Sequence, residues 1–435
     1  MKVAGLILLL AVAAVFLLLG FRYLVRGTPI RRIRGGARSG EAPAIDGEHF
    51  TSTLELLTRV DLLRGHTARF STCGDNTFPQ LWDDLRGAQT SITMQMYYAN
   101  KGKVADQLQQ ILVERARAGV KVLFLRDAFG ASGVPQEYFD VMSDAGVEVA
   151  IFRPFEWYSI EKAYARSHIR VVTVDAKIGW TGGFGIDDKW LGDGRTADQW
   201  RDTTARFTGP AVAQLQATFA AGWAEATGQL LTGRTFFPQD PDAGTDNKQD
   251  PAAPMRAGLL HAAPTVGSTP AERFLALTIG AAQERLWITN AYFVPDLDFV
   301  GLLTHAAERG TDVRVLVPRV TDSKTVYFAG QQTYGQLAEA GVKIYEYLPT
   351  MLHAKTIVGD RCFSGIGTMN FDNRSMSFND ESMFLVYDDD FNDRLANLFL
   401  ADLELSEQYT LTMWRQRPWW MRHASKMAYS LRRVL

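Results

Sequence analysis

The feature that most constrains the fold of this 435-residue chain is an internal duplication. The strand-like run at residues 91–98 has a counterpart at 285–293, and each is followed by a helical stretch and a second apolar strand. Strands that alternate with helices of this kind predict an α/β fold with covered sheets. The duplication predicts two domains related by a pseudo-two-fold axis, with a site where equivalent edges meet.

The duplicated register places a histidine, a nearby cation and a later aspartate in both halves. These residues are His168, Arg170 and Asp175 in the first half, and His353, Lys355 and Asp360 in the second. Residues i and i+2 of a strand face the same side, so each imidazole is expected to share a surface with its cation. The cation suits phosphate oxygens, while the imidazole can attack phosphorus or protonate a leaving oxygen. Two copies would supply one nucleophile and one acid.

On these motifs the sequence resembles the phospholipase D superfamily, whose motif is H-x-K-x4-D followed by G-S/G-x-N, and more narrowly the bacterial cardiolipin synthases. The resemblance covers most of the chain, because the segments around Gly183, Asp202, Asn370 and Glu381 also match. It implies tandem duplicated phospholipase D-type α/β/α sandwich domains. It also implies a phosphatidyltransferase that needs no metal or cofactor and forms a covalent phosphohistidine.

The resemblance also implies roles for individual residues, with His168 as the nucleophile and His353 as the acid. An imidazole needs an acceptor on its other nitrogen, so Asp202 and Glu381 are assigned as orienting carboxylates, with a plain surface position as the alternative. The remaining residues taken from the resemblance are Asn370, Gly183, Arg374 and Ser375 near the phosphate, and Asp175 and Asp360 among the catalytic candidates. A purely structural role is the alternative for Arg374 and Ser375, in which they would cap a turn. The far-end position of the two aspartates favours a structural role, in which they pair with a cation or a turn.

Three positions depart from the family pattern. Arg170 stands where lysine is usual, Ser167 where asparagine is common, and Gly185 where the second half has Asn370. Arginine keeps the charge and can bind phosphate through two bonds, whereas glycine removes one hydrogen-bond donor. We therefore expect unequal half-sites, with the second the better phosphate clamp.

An uncharged run of about 19 residues at 3–21 is long enough to cross a bilayer. A cleaved signal peptide is the alternative, but no small-x-small cleavage site follows the run. Basic residues concentrate after it, at Arg22, Arg26, Arg31, Arg32, Arg34 and Arg38. The positive-inside rule then predicts a single-pass protein of the bacterial inner membrane with its catalytic body in the cytoplasm.

Composition shifts divide the rest of the chain, because 27–49 is rich in Arg and Gly and 237–257 is rich in Pro and Asp. The predicted segments are a transmembrane anchor at 1–26, a basic flexible tether at 27–49, a first phospholipase D-like domain at 50–236, a linker at 237–257, a second such domain at 258–410 and a basic amphipathic tail at 411–435.

The tail and the overall charge bear on partners. Residues 411–435 mix arginine and lysine with tryptophan and contain no acidic residue, which favours an anionic membrane surface. A terminal helix docked on the body is the alternative.

The overall charge bears on the partners of the chain. With 46 basic and 48 acidic residues, the net charge is close to zero and does not favour binding of nucleic acid. We expect phospholipid substrates such as phosphatidylglycerol; a hydrolytic phospholipase D or phosphodiesterase, a nuclease and a non-catalytic lipid-binding homologue are the rival interpretations.

Overall fold

The computed structural model describes residues 2–24, 30–34, 42–154, 165–238, 255–265, 267–433 and 435. Residues 239–254 of the predicted linker, and 27–29 and 35–41 of the predicted tether, lie outside the described residues. The helices are α1 (Lys2–Leu24), α2 (Glu48–Thr58), α3 (Cys73–Arg86), α4 (Lys103–Arg117), α5 (Gln136–Asp144), α6 (Ala211–Thr227), α7 (Pro270–Ala281), α8 (Leu297–Glu308), α9 (Lys324–Glu339), α10 (Asn373–Ser377), α11 (Asp389–Leu403), α12 (Leu411–Arg415) and α13 (Trp419–Ser430). A 3₁₀ turn occupies Asp188–Trp190.

The strands form two large sheets and one two-stranded sheet. They are β1 (Leu63–Arg64), β2 (Thr67–Thr72), β3 (Ser91–Met96), β4 (Lys121–Asp127), β5 (Glu148–Phe152), β6 (Val171–Val174), β7 (Ile178–Gly182), β8 (Trp200–Arg201), β9 (Thr203–Thr208), β10 (Arg256–Ala262), β11 (Arg285–Asn290), β12 (Asp312–Pro318), β13 (Lys343–Tyr347), β14 (Met351–Leu352), β15 (Lys355–Gly359), β16 (Phe363–Gly367), β17 (Glu381–Tyr387) and β18 (Ser406–Gln408).

The two large sheets repeat one strand order. The first sheet runs β2-β9-β7-β6-β3-β4-β5, and the second runs β1-β10-β17-β16-β15-β11-β12-β13-β18. Without its edge strands β1 and β18, the second order matches the first strand for strand. The three strands from β3 to β5 are parallel, as are those from β11 to β13, while the others pair antiparallel. The mixed α/β class predicted from the sequence is therefore confirmed.

The first strand of the chain, β1, belongs to the second sheet, although it precedes all strands of the first sheet in sequence. Strand β1 pairs with β10, and Phe50 on α2 packs edge-on against Phe363 of the second half at 5.3 Å between ring centroids. Strand β1 and most of α2 lie inside the segment predicted as the first domain, 50–236. This part of the chain nevertheless packs on the second half, because the core of that half contains Ile45, Phe50, Leu54, Val60 and Leu62.

Apolar side chains join the two halves through a shared core. The rings of Phe207 on β9 and Phe384 on β17 stack with centroids 4.0 Å apart and planes 7° apart. Helices α6 and α11 contribute Phe219, Trp223 and Phe399 to the same core. Helices α2, α7, α8 and α9 pack on the second sheet, and α3, α4 and α5 on the first, in two further cores. This packing fixes the strand ends of the two halves against each other.

Two backbone links cross between the halves at these strand ends. Strand β14 pairs in parallel with β8, and the His353 N–H donates to the Arg201 carbonyl at 2.7 Å. In the other direction, the His168 N–H donates to the Asp380 carbonyl at 2.9 Å. The i, i+2 spacing predicts that each histidine lies on a strand with its cation, but β6 begins at Val171 and β15 at Lys355. Each histidine precedes its strand because its N–H binds the opposite half.

Helix α1 covers the segment predicted to be a membrane anchor. Its described apolar side chains, such as Phe16 and Leu17, are exposed. Among the side chains that the structure describes, which exclude several in α1, no helix is both long and apolar enough to cross a membrane.

The C-terminal tail forms α12 and α13, and one face of α13 docks on the body. Ser425, Ala428 and Tyr429 are buried there, and the Tyr429 hydroxyl donates to the Pro295 carbonyl at 3.1 Å. The opposite face is exposed, with Trp420 50% and Met427 73% accessible. The alternative of a docked terminal helix therefore describes one face of α13, while Met427 and half of the Trp420 side chain are left to solvent.

Candidate active site

The first half-site is built on His168, which lies just before β6 and is buried. Its Nδ1 lies 3.0 Å from Oε1 and 3.1 Å from Oε2 of Glu381 at the start of β17. A carboxylate in this position keeps the proton on Nδ1, so the Nε2 lone pair is left for chemistry. The Thr368 hydroxyl also donates to Glu381 and holds this carboxylate in place.

The second half-site has the same construction around His353. Its Nδ1 lies 2.9 Å from Oδ2 of Asp202, which stands between β8 and β9. The same carboxylate oxygen accepts the indole N–H of Trp190 at 2.9 Å, and Oδ1 accepts the Thr203 N–H at 2.8 Å. Both orienting carboxylates predicted from the sequence therefore contact a histidine.

The carboxylates are exchanged between the halves. His168 of the first half is held by Glu381 of the second, and His353 of the second by Asp202 of the first. The sequence pattern predicted the two carboxylates but did not indicate which histidine each one contacts. The backbone links explain the exchange, because the carbonyls of Asp380 and Arg201 that bind the histidine N–H groups directly precede Glu381 and Asp202. One segment thus fixes both the main chain and the tautomer of each histidine.

The cation of each motif lies beside its own histidine. Arg170 donates from Nη1 to the His168 carbonyl at 2.9 Å, and Lys355 Nζ donates to the His353 carbonyl at 2.5 Å. Lys355 Nζ also lies 2.9 Å from His353 Nε2. Both cations are 1% exposed and so act on the histidines with little water screening. This is the shared surface that the i, i+2 spacing predicted.

Burial and repulsion between like charges shift the pKa values of the ionisable groups in the site. Burial, followed by Arg170 and Lys355, holds the pKa of His168 well below its usual value, and burial with Lys355 and Arg170 does the same for His353. Burial also lowers the pKa of Lys355 to about 7 and raises that of Glu381 to about 7. The imidazoles are therefore neutral at neutral pH, and a bound phosphate would offset the repulsion between the cations.

The glycines of the first half make room for these groups. A Cβ on Gly183 would lie 2.4 Å from an Asp202 carboxylate oxygen, so only glycine lets the carboxylate approach. Gly183 aligns with Thr368, and Trp190 replaces that threonine as the side-chain donor to the carboxylate. A Cβ on Gly185 would lie 2.8 Å from the Trp190 ring. The first half therefore has glycine at the position equivalent to Asn370, and the Trp190 indole packs against it.

One cavity of about 370 Å³ joins the two half-sites. Its lining contains both histidines and Arg170, together with four further residues of the predicted site or its surroundings, Asn370, Asp372, Arg374 and Ser375. Asp372 accepts the Ser375 N–H at 2.8 Å and caps α10. Arg374 and Ser375 therefore belong to a capped turn and also line the cavity. The buried side-chain oxygen of Asn370 faces no hydrogen-bond partner in the described part of the chain.

Asp175 and Asp360 do not belong to this cavity, and their inclusion among the catalytic candidates is corrected. Asp175 accepts backbone N–H groups of Gln89, Thr90 and Ser91 at 2.7–3.1 Å, and Asp360 accepts those of residues 283–285 in the same way. Both aspartates have positive φ, 54° and 45°, in the turn after their strand. They anchor the start of the neighbouring strand, because that edge would otherwise leave donors unpaired.

Sequence reasoning missed most of the aromatic wall of the cavity. The additional lining residues include Tyr97, Tyr98, Lys189, Trp190, Trp200 and Tyr292. Tyr97 contacts His168 edge-on at 5.0 Å between centroids, and Trp200 lies 4.9 Å from His353. Tyr98 and Tyr292 occupy equivalent positions of the repeat, which was a signal available in the sequence.

Within the described ranges, no group of three or more His, Cys, Asp or Glu side chains is placed to hold a metal ion. The expectation of a reaction without metal or cofactor stays a prediction. The positive charge that faces the cavity comes from side chains.

Comparisons with known proteins agree with this geometry. The sequence model of a family described as "Cardiolipin synthase, PLD-like domain" matches residues 275–403. The chain is 33% identical to a cardiolipin synthase A of Pseudomonas syringae, over 82% of this chain and 72% of that protein. It is also 33% identical to a cardiolipin synthase of a Geobacillus species, over 86% of this chain and 74% of that protein.

Two solved structures share the fold at low sequence identity. A phosphatidylserine synthase of Haemophilus influenzae superposes with a TM-score of 0.65 at 14% identity, over 89% of this chain and 100% of that chain. A polyphosphate kinase of Porphyromonas gingivalis gives 0.55 at 12% identity, over 80% of this chain and 49% of that one.

Proposed function

The chain belongs to the cardiolipin synthase family of the phospholipase D superfamily and is a phosphatidyltransferase, and from this premise we propose that it joins two phospholipids through a phosphohistidine. The observation that carries the proposal is the pair of histidines in one cavity, each oriented by a carboxylate of the other half and flanked by a buried cation. This arrangement supplies a nucleophile, an acid and charge stabilisation at one phosphate.

We propose His168 as the nucleophile. Its Nδ1 faces the carboxylate of Glu381, which leaves the lone pair on Nε2, whereas His353 Nε2 contacts the Lys355 ammonium. A neutral imidazole with a lone pair on Nε2 is the form that attacks phosphorus, and the lowered pKa of His168 favours it. In the first step the new bond joins Nε2 to phosphorus, while the bond from phosphorus to the headgroup oxygen breaks. The negative charge of the bound phosphodiester favours the protonated form of His353, which gives the proton on its Nε2 to that oxygen, and the headgroup alcohol leaves.

The second step reverses the roles at the same phosphorus. The hydroxyl of an acceptor phospholipid gives its proton to His353, its oxygen attacks phosphorus, and the bond between phosphorus and His168 breaks. Arg170 and Lys355 stabilise the charge that develops on the phosphate oxygens in both steps. With phosphatidylglycerol or a related lipid as donor and acceptor, the products are cardiolipin and a free alcohol.

A membrane location follows from the lipid substrates and from two segments. Residues 3–21 carry no charge, which supports an anchor in the bacterial inner membrane, and the arginines that follow support a cytoplasmic catalytic body. The exposed Trp420 and Met427 of α13 lie among basic residues, which supports contact between the tail and an anionic bilayer.

The test is product analysis with the purified full chain and phosphatidylglycerol vesicles. Cardiolipin and glycerol are expected in equal amounts, and neither should form with His168→Ala or His353→Ala. Phosphatidate with glycerol would instead identify a hydrolase, and no conversion would overturn the proposal.

A further inference from the structure

Lys189 is a cavity residue to which the proposed reaction gives no role. Its Nζ lies 3.7 Å from the ring centroid of Trp200, 3.8 Å from that of Tyr98 and 4.9 Å from that of Trp190. In the part of the chain that the structure describes, no carboxylate lies within ion-pair distance of this ammonium. Aromatic rings hold a cation without neutralising it, so the charge of Lys189 remains available to the cavity that it lines.

The duplication shows that this position is one of a pair. Asp187 aligns with Asp372, and each caps the following turn through a backbone N–H. Lys189 therefore aligns with Arg374, and both line the cavity. The site holds two sets of cations: the inner set, Arg170 and Lys355, lies beside the histidines, and the outer set, Lys189 and Arg374, lies on opposite halves. The electrostatic effect of Lys189 falls on His353, and that of Arg374 on His168.

Transfer of a phosphatidyl group to a second phospholipid brings two phosphates into the cavity. The inner cations serve the reacting phosphorus, so the phosphodiester of the acceptor needs another partner. The acceptor hydroxyl must reach His353, and Trp200 contacts both the His353 ring and the Lys189 ammonium. An alcohol and a phosphodiester that are separated by one glycerol unit can therefore engage His353 and Lys189 together.

We propose that Lys189 binds the phosphodiester of the acceptor, so that the enzyme favours phosphate-bearing alcohols over water and free alcohols. This inference rests on the proposed function, because it assigns the second substrate of that reaction. The rings around Lys189 resemble a cage for a quaternary ammonium, but the protein's own ammonium fills it. The same residue thus repels lipids with cationic headgroups.

The experiment measures how one phosphohistidine divides between two acceptors. The full chain is given labelled phosphatidylglycerol in vesicles with ethanol in the buffer, and cardiolipin, phosphatidylethanol and phosphatidate are quantified. All three products arise from the same intermediate, so their ratio is independent of the donor step and of the folded fraction. Lys189→Met is expected to lower the ratio of cardiolipin to phosphatidylethanol by about tenfold. Lys189→Arg should restore most of that ratio because the charge is kept.

Lys324→Met is the matched control, because Lys324 is an exposed lysine at the start of α9 beside the cavity residue Ser323. It should leave the ratio at the wild-type value. An unchanged ratio in Lys189→Met would overturn the inference even if total turnover fell, since a role through His353 alone slows all products together. Failure of the proposed function is distinct: the wild-type protein would then form no cardiolipin at all.

Discussion

At the scale of single residues, the exchanged carboxylates make each histidine dependent on the other half. Glu381→Gln and Asp202→Asn keep the size of each side chain but no longer favour the Nδ1–H tautomer of the histidine. We expect each change to lower kcat by about 10²- to 10⁴-fold, the scale of a lost acid or base. Steady-state transfer assays with the folded variants measure this effect.

Asp175→Asn and Asp360→Asn provide the contrast. Their carboxylates bind three backbone N–H groups each, away from the cavity, so the loss should be about 1–3 kcal/mol of folding free energy. The kcat of each folded variant should stay near the wild-type value. A large fall in kcat for these aspartates, with no change in stability, would contradict their assignment as strand anchors.

Lys355 links phosphate binding to pH. Its pKa is lowered to about 7 by burial, so the ammonium loses its proton as the pH rises above that value, and Glu381, raised to about 7, becomes negative over the same range. Both changes weaken anion binding. Titration calorimetry with tungstate over about pH 6–9 should therefore show affinity falling as pH rises, by at most about tenfold per unit for one proton.

Lys355→Arg tests the contribution of this residue, because a guanidinium keeps its charge over this range. The fall in affinity should become shallower in that variant. An affinity that rises with pH, or an identical slope in both proteins, would contradict the role of Lys355 at the phosphate.

The residues that sequence reasoning found are those that the duplication repeats. His168 and His353 carry chemistry that is recognisable from residue type and spacing, and their cations follow at a strand interval. The pairing of Asp202 with His353 could not be read in this way, because an alignment relates equivalent positions, while the contact joins non-equivalent ones across an interface. The alignment already pairs Lys189 with Arg374, but only the structure shows that Lys189 lines the cavity.

At the scale of elements, the repeated strands were predictable because strand-forming runs recur in the same order in both halves, as in β3 and β11, which are buried almost throughout. The placement of β1 was not, since two residues of strand carry no pattern of their own. The tail shows a similar limit. Its sequence is amphipathic, but only the docked Ser425 and Tyr429 reveal which face meets the body.

This division of the tail gives a prediction for membrane binding. Trp419→Ser combined with Met427→Ser removes two side chains that are each 73% exposed and leaves the docked face in place, so activity on a short-chain soluble substrate should persist. Binding to anionic vesicles should weaken, and added salt should weaken it further by screening the basic residues. Co-sedimentation with vesicles measures both effects.

Two exposed leucines elsewhere provide the control for the tail variant. Leu56→Ser with Leu230→Ser removes side chains that are 73% and 76% exposed, and this pair should leave vesicle binding unchanged. Equal losses of vesicle binding in the two double variants would show that the tail makes no specific contact with the membrane surface. Truncation before Arg417 is a poorer test, because it also removes the buried contacts of Arg417 and Tyr429.

At the scale of the whole molecule, the shared core decides whether a site exists at all. Phe207 and Phe384 are fully buried and stack between the halves, and each half supplies one histidine and the carboxylate of the other. Duplication alone predicted two similar units, but a unit by itself would leave a buried histidine without its carboxylate. We therefore expect the active protein to unfold as one cooperative body rather than as two domains in series.

Phe207→Ala tests this cooperativity, since it removes a buried ring from the interface and should cost about 3–5 kcal/mol of folding free energy. Because both half-sites depend on the interface, transferase activity and secondary structure should be lost together in one denaturant transition, shifted to lower denaturant concentration. Phe129→Ala is the control: its ring is 70% exposed, so stability should change by less than about 0.5 kcal/mol. Two separate transitions in Phe207→Ala, with activity lost in only the first, would show that the halves fold independently and that the stacked rings join finished domains.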